Sequence, residues 1–240
     1  MNRLTLVALV LIGALFGAAG TWLAGRVAPG DLSDADRARI EQAVRGYILA
    51  NPDIIPEAMQ RLNDRENGKV IAAARTAIET PYGDAFMGNP RGDVTLVEYF
   101  DYNCGYCRAI LPTLDKLVVA DPKLRIVFRE MPVLAESSRS AARASLAAAA
   151  QGRFKPFHDA LYAAGPVTGQ TIAAAAAASG VDLTKIPADA DEQLRGNLAV
   201  ASRLGMSGTP SWVIGDRVMT GAQPLDRLQE AIAAVRAARS

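Results

Sequence analysis

The sequence predicts an α/β fold, with a helical segment ahead of it and a helical block inserted into it. Three observations carry this. A β-branched and aromatic run, Val94–Phe100, leads into a helical pattern and then a second apolar run, Leu124–Met131, which together read as a βαβ unit with a right-handed crossover. Ser211–Ile214 and Arg217–Thr220 flank Gly215-Asp216, the pattern of a two-residue hairpin. Between these parts lies a long alanine-rich stretch, about 136–204, and alanine is the best helix former. The 240 residues are half hydrophobic and 21% charged, enough for one ordinary domain with additions. A net charge of +1 without a basic stripe argues against nucleic-acid binding.

The elements follow in order. An apolar run from Leu4 to Gly25, between Arg3 and Arg26, is 22 residues long, and about 20 cross a bilayer as a helix. Residues 1–26 are therefore expected to be a membrane anchor, with Trp22 at the interface, or a signal peptide removed near its small residues. Either reading sends the rest of the chain out of the cytoplasm. A helical segment is expected over 31–82. Ser33 with Asp36 resembles a capping box, and Ile40, Val44, Tyr47 and Ile48 form one apolar stripe. Asn51-Pro52 interrupts it. A second helix is expected from near Pro56 with Ile55, Met59 and Leu62, and after the polar "NDRENGK" a further amphipathic stretch, Val70–Ile78. Loops at Thr80–Gly83 and Gly88–Pro90 bracket the boundary, so the main domain is expected over 88–240. Within it come the strand Val94–Phe100, a helix after Cys107 in which Pro112 is expected to introduce a kink, the strand Leu124–Met131, the helical insertion, the hairpin and a last helix, Leu225–Ala238.

Cys104 and Cys107, in "EYFDYNCGYCRAILP", are the only cysteines. A closed zinc site needs four ligands, and the chain adds only one histidine, His158. Copper(I) accepts two thiolates and stays open. A permanent staple closing so small a loop would remove little unfolded-state entropy. A redox dithiol fits the strand-to-helix position. There the helix N-terminus favours a thiolate at Cys104, the expected nucleophile, while Cys107, one turn in, resolves the mixed disulfide. Glu98 lies on the same strand face as residues 100 and 102 and is a candidate proton relay to Cys107. In "GMSGTPSW", Thr209-Pro210 is expected to be cis and to leave the Thr209 backbone for an extended substrate chain. His158, beside Phe154, Phe157 and Leu161 at helical spacing, reads as a packing residue, and "SSRSAARAS" as a solvated helix start.

The stretches "VEYFDYNCGYC", "LRIVFREMPV", "GMSGTPSWVIG" and "GAQPLDRLQEAI" together resemble the DsbA-like branch of the thioredoxin superfamily over about 91–240. The resemblance implies a thioredoxin fold with an inserted helical domain, Cys104 as attacking thiol, Cys107 as resolving thiol, Glu98 as the buried carboxylate, and Thr209-Pro210 as the cis-proline loop. Gly105 and Tyr106 would tune the potential and border the substrate. No cofactor or metal is implied. The stretch "VRGYILANPDIIPEAMQRLNDRE" resembles the N-terminal domain of the ScsC (copper-sensitivity suppressor) proteins, which drives oligomerisation. The expected activity is that of an exported, periplasmic thiol:disulfide oxidoreductase, acting as oxidase or as isomerase. Its expected partners are protein substrates, a membrane redox partner of the DsbB or DsbD type, and copies of itself.

Overall fold

The computed structural model describes residues 33–238, so the apolar run Leu4–Gly25 lies outside them. The described residues divide into two compact units, one ending at Met59 and one starting at Gln60. In the first, α1 (Asp34–Ala50) starts where the capping signal places it. Ser33 Oγ accepts the Asp36 N–H at 3.2 Å, and its hydroxyl donates to Asp36 Oδ2 at 2.6 Å. No residue of α1 is buried; Ile40, Val44 and Tyr47 stand in solvent.

The next helix differs from expectation. One helix, α2 (Ile54–Glu79), replaces the two foreseen around Pro56 and Val70. The polar stretch between them lacks an apolar stripe, yet most of its residues favour helix, and pairs such as Gln60–Asp64 and Glu66–Lys69 span it. Gly68 sits inside the helix facing the hairpin, where an added Cβ would lie 3.4 Å from Asp216 Cβ. Ion pairs Arg75–Asp216 and Asp64–Arg217 fasten the Gln60–Glu79 part of α2 to that hairpin.

In the second unit, five strands form one sheet in the order β1-β3-β2-β4-β5. They are β1 (Phe86–Gly88), β2 (Val94–Phe100), β3 (Leu124–Glu130), β4 (Ser211–Ile214) and β5 (Arg217–Thr220). β2 and β3 are parallel and every other pair is antiparallel. Strand β1 was not foreseen, and its last residue, Gly88, falls in an expected loop. Its three residues form a strand only because β3 offers an edge, and Gly88 permits it: φ is +80°, and a Cβ there would lie 2.5 Å from the Leu124 carbonyl oxygen. Every residue of β2 is buried, as its unbroken apolar run requires of a strand covered on both faces.

Helix α3 (Gly105–Ala120) joins β2 to β3, and Pro112 lies inside it without ending it. The insertion resolves into α4 (Glu136–Ala150), α5 (Phe154–Ala163), α6 (Gly169–Ser179) and α7 (Ala190–Arg203); α8 (Leu225–Ala237) closes the chain. One sheet face, carrying Leu96, Phe100, Phe128 and Trp212, packs on α3, α5 and α8. The other, carrying Val97, Tyr99, Val127 and Val213, is covered by Ile71 and Ile78 of α2 and by Ala201 of α7. Buried Arg129 donates to the carbonyls of Ile78 and Thr80, taking up free acceptors at the end of α2. Ile78 has no exposed surface. Ile78→Ala should cost about 2–5 kcal/mol in urea unfolding; a loss below about 0.5 kcal/mol would mean that α2 does not cover this face.

Candidate functional site

Strand β2 ends at Phe100, and four residues, Asp101–Cys104, turn the chain into α3. Asp101 holds this turn. Its carboxylate accepts the N–H groups of Asn103 (2.9 Å), Val133 (2.9 Å) and Leu134 (3.0 Å), tying the turn to the loop after β3. Its carbonyl accepts the Cys104 N–H at 2.9 Å. Asn103 Nδ2 donates to the hydroxyls of Ser137 and Ser138 at the start of α4. The stretch read as a solvated helix start is solvated on one side only: Arg139 and Ser140 are exposed, while Ser138 and Ser145 are buried.

Cys104 is the N-cap of α3. Its Sγ accepts the Cys107 N–H at 3.4 Å, taking up one of the amides the first helical turn leaves unpaired, and its thiol donates to the Thr209 carbonyl at 3.2 Å. The second bond needs the thiol proton and the first does not, so the bond from Cys107 N–H remains available to a thiolate. Cys104 keeps 5% of its surface and Cys107 1%, and both are free thiols. Burial drives the Cys107 pKa far above the usual thiol range, the charge of Glu98 adds to this, and the Asp101 backbone offsets part of it. Glu98, on β2 beside Trp212 of β4 and Phe128 of β3, is itself buried. Desolvation first, and then the charge of Cys104, hold its pKa well above the usual carboxylate value.

The Thr209–Pro210 peptide is cis. Pro210 is buried and its carbonyl accepts the Gly221 N–H at 2.8 Å. Two polar atoms here, Thr209 Oγ1 and Glu98 Oε2, are buried without a hydrogen-bond partner among the described residues. The structure thus brings Cys104, Cys107, Glu98, Thr209 and Pro210 into one place. Gly105 and Tyr106 begin α3 on the outside, and Tyr106 is 70% exposed. His158 is buried in an aromatic cage of Phe100, Phe128, Phe154 and Tyr162, its pKa lowered to about 3 by burial. Among the described residues it has one polar contact, Nδ1 to Tyr102 Oη at 3.1 Å, while the Tyr102 hydroxyl donates to Ser145.

Sequence reasoning missed Asp101 and Tyr162, whose hydroxyl donates to the Asp101 carbonyl. A carboxylate ending an apolar strand was a visible signal for the first; nothing local marked the second. Among the described residues, no group of three or more His, Cys, Asp or Glu side chains is arranged to hold a metal ion.

A family model described as a DSBA-like thioredoxin domain matches residues 95–233, and one described as the copper resistance protein ScsC N-terminal domain matches residues 36–67. Among solved structures, the chain is similar to a linker-deletion mutant of ScsC from Proteus mirabilis, with 26% identity, covering 88% of this chain and 99% of that one, TM-score 0.69. A periplasmic thioredoxin-like protein from Salmonella enterica serovar Typhimurium is 29% identical, covering 69% and 97%, TM-score 0.64. A thioredoxin-like oxidoreductase from Silicibacter pomeroyi is 38% identical, covering 68% and 97%, TM-score 0.63. Among curated proteins, 160 residues are 30% identical to part of the Na(+)/H(+) antiporter NhaA 3 of Salinispora tropica, 63% of this chain. The chain spans 24% of the length of that protein and of the related NhaA from Herminiimonas arsenicoxydans.

The buried carboxyl gives a signed expectation. In the unfolded chain Glu98 ionises near its ordinary value, 4.5; folded, it ionises only well above that. Between the two, the native state holds a proton that the unfolded state has lost, so stability falls as pH rises, by about 1.4 kcal/mol per unit for one such group. Glu98→Gln removes this slope. Urea unfolding of the reduced proteins should show the variant gaining on the wild type as pH rises above 4.5, with the gain fading below it; parallel profiles would contradict the burial.

Proposed function

The chain belongs to the DSBA-like thioredoxin domain family, and on that premise we propose that it is an exported protein thiol:disulfide oxidoreductase working through Cys104 and Cys107. The observation that carries this reading is the inequality of the two sulfurs. One caps a helix at the surface end of the site, while the other is sealed beneath it, next to a buried carboxyl. In the reducing direction, the Cys104 thiolate attacks a sulfur of a substrate disulfide. A Cys104–substrate bond forms and the second substrate sulfur leaves as thiolate. Cys107 then loses its proton and attacks Cys104 Sγ, the substrate departs with its remaining sulfur reduced, and two electrons have passed from the dithiol to the substrate. In the oxidising direction the same steps run backwards. Glu98, whose pKa burial raises well above the usual carboxylate value, is suited to exchange the Cys107 proton.

The substrate is a polypeptide bearing thiols or a disulfide. Its extended segment lies along the backbone of Thr209 and Pro210 and beside Gly105 and the exposed Tyr106. The periplasm is supported by the apolar run Leu4–Gly25, as signal or anchor, and by the Salmonella relative, described as periplasmic. Among the described residues no helix is long and apolar enough to cross a membrane. A membrane protein of the DsbB or DsbD type would reset the thiols. The exposed stripe of Ile40, Val44 and Tyr47 on α1 supports self-association, which favours the isomerase role. A second reading, copper(I) carriage by the two thiolates, is favoured by the copper resistance description of the matching N-terminal domain.

Refolding of scrambled ribonuclease separates the two. Residues 27–240 in reduced form should restore ribonuclease activity, Cys104→Ser should not, and Cys107→Ser should accumulate mixed disulfides with the substrate through Cys104. Stoichiometric copper(I) binding with no exchange of either kind would favour the carrier. In light scattering, Val44→Asp with Tyr47→Asp should reduce the particle to the mass of one chain; an unchanged mass would remove α1 from the interface.

A further inference from the structure

The helical insertion lends the thiol site a residue. We infer that Tyr162, on α5, is a positioning residue for the dithiol, acting through the backbone of Asp101. This rests on the reading of Cys104–Cys107 as a redox pair. The Asp101 carbonyl takes two donors, the Cys104 N–H at 2.9 Å and the Tyr162 hydroxyl at 3.1 Å. The first closes the turn that delivers Cys104 to the helix cap. The second comes from an element 61 residues further along the chain, so the turn is anchored from outside itself. The same peptide segment reaches the other sulfur, since the Asp101 backbone acts on Cys107. Tyr162 is buried, packs against the His158 ring at 4.9 Å and Tyr102 at 5.0 Å, and has Cys107, Glu98 and Glu130 for titratable neighbours. Burial first, with those neighbours, raises its pKa well above 10, so the phenol keeps its proton and stays a donor.

The hydrogen bond matters unequally to the two redox states. In the disulfide form the S–S bond itself fixes Cys104 against Cys107. In the dithiol form only hydrogen bonds hold the Cys104 sulfur over the helix, and the Asp101 turn sets where that sulfur lies. Tyr162 therefore stabilises the dithiol more than the disulfide and makes the protein the stronger oxidant. Three side chains of the insertion, Tyr162, His158 and Ser145, face this turn and the adjoining Tyr102. That gives the insertion a role at the site rather than only over it.

The test is the equilibrium with glutathione, in which the dithiol gives up two electrons and two protons as glutathione disulfide becomes two glutathione molecules. The oxidised fraction is read by thiol trapping in full chains. Tyr162→Phe should shift the constant about two- to fivefold toward the protein disulfide, the lower part of the range for one net hydrogen bond, because only the difference between the two redox states counts. 3-Fluorotyrosine in place of Tyr162, a stronger donor of nearly the same size, should shift it the opposite way and also keeps the test valid should the phenylalanine variant not fold. Tyr82→Phe, which removes a hydroxyl bonded to Asp189, should leave the constant unchanged. An unchanged constant in Tyr162→Phe, or shifts of the same sign in both Tyr162 replacements, would overturn the inference. An unaltered wild type that fails to exchange with proteins while these shifts persist would instead sink the functional reading and leave this one standing.

Discussion

A helix leaves its first amide protons without partners, and in this chain a sulfur takes one of them. Cys104 Sγ stands over the start of α3 and accepts the N–H of Cys107. Much of the rest of the fold fixes that atom. β2, buried throughout, brings the chain to the helix start. Asp101 makes the turn rigid by accepting three N–H bonds at its carboxylate and the Cys104 N–H at its carbonyl. β4 is preceded by the loop that presents the Thr209 carbonyl to the same sulfur. A helix start is a ready place for negative charge because amide donors and the macrodipole act together. The second cysteine, one turn later, falls on the buried side of the same helix. Two residues between the thiols thus separate them chemically.

The site holds more buried polarity than stability alone would select. Glu98 and Glu130 are both buried, both raised well above their usual pKa by desolvation, and each has an oxygen with no partner among the described residues. Groups of this kind cluster where protons must move. Glu98 lies on the sheet face that α3, carrying Cys107, packs against, and its charge acts on that thiol. Glu130 lies one strand over, paired in register with Phe100, within the group formed by Tyr102, Ser145 and His158. The aromatic rings around His158 keep it neutral, so its contribution is shape and a single hydrogen bond, not charge.

What was legible in the sequence was whatever local chemistry decides. The bounds of Val94–Phe100 and of both hairpin strands agree with the structure because a β-branched run and a glycine turn need no distant help. Ser33 started its helix for the same reason. The continuity of α2 was hidden because "NDRENGK" has no periodic apolar signal; docking of Ile71 and Ile78 supports the helix beyond it. β1 was hidden because three residues become a strand only beside β3. At the site, spacing and family pattern drew attention to Cys104, Cys107, Glu98, Thr209 and Pro210. Asp101 and Tyr162 were not seen, since a contact spanning 61 residues depends on where α5 comes to rest.

The central claim is that the backbone makes one thiol available and seals the other. Brief alkylation of the reduced native protein with iodoacetamide at pH 7, with the label located by fragment masses, measures this directly. Cys104 should be modified at least about ten times faster than Cys107, whose burial keeps its proton on the sulfur and its sulfur from the reagent. Equal rates, or faster labelling of Cys107, would contradict the account.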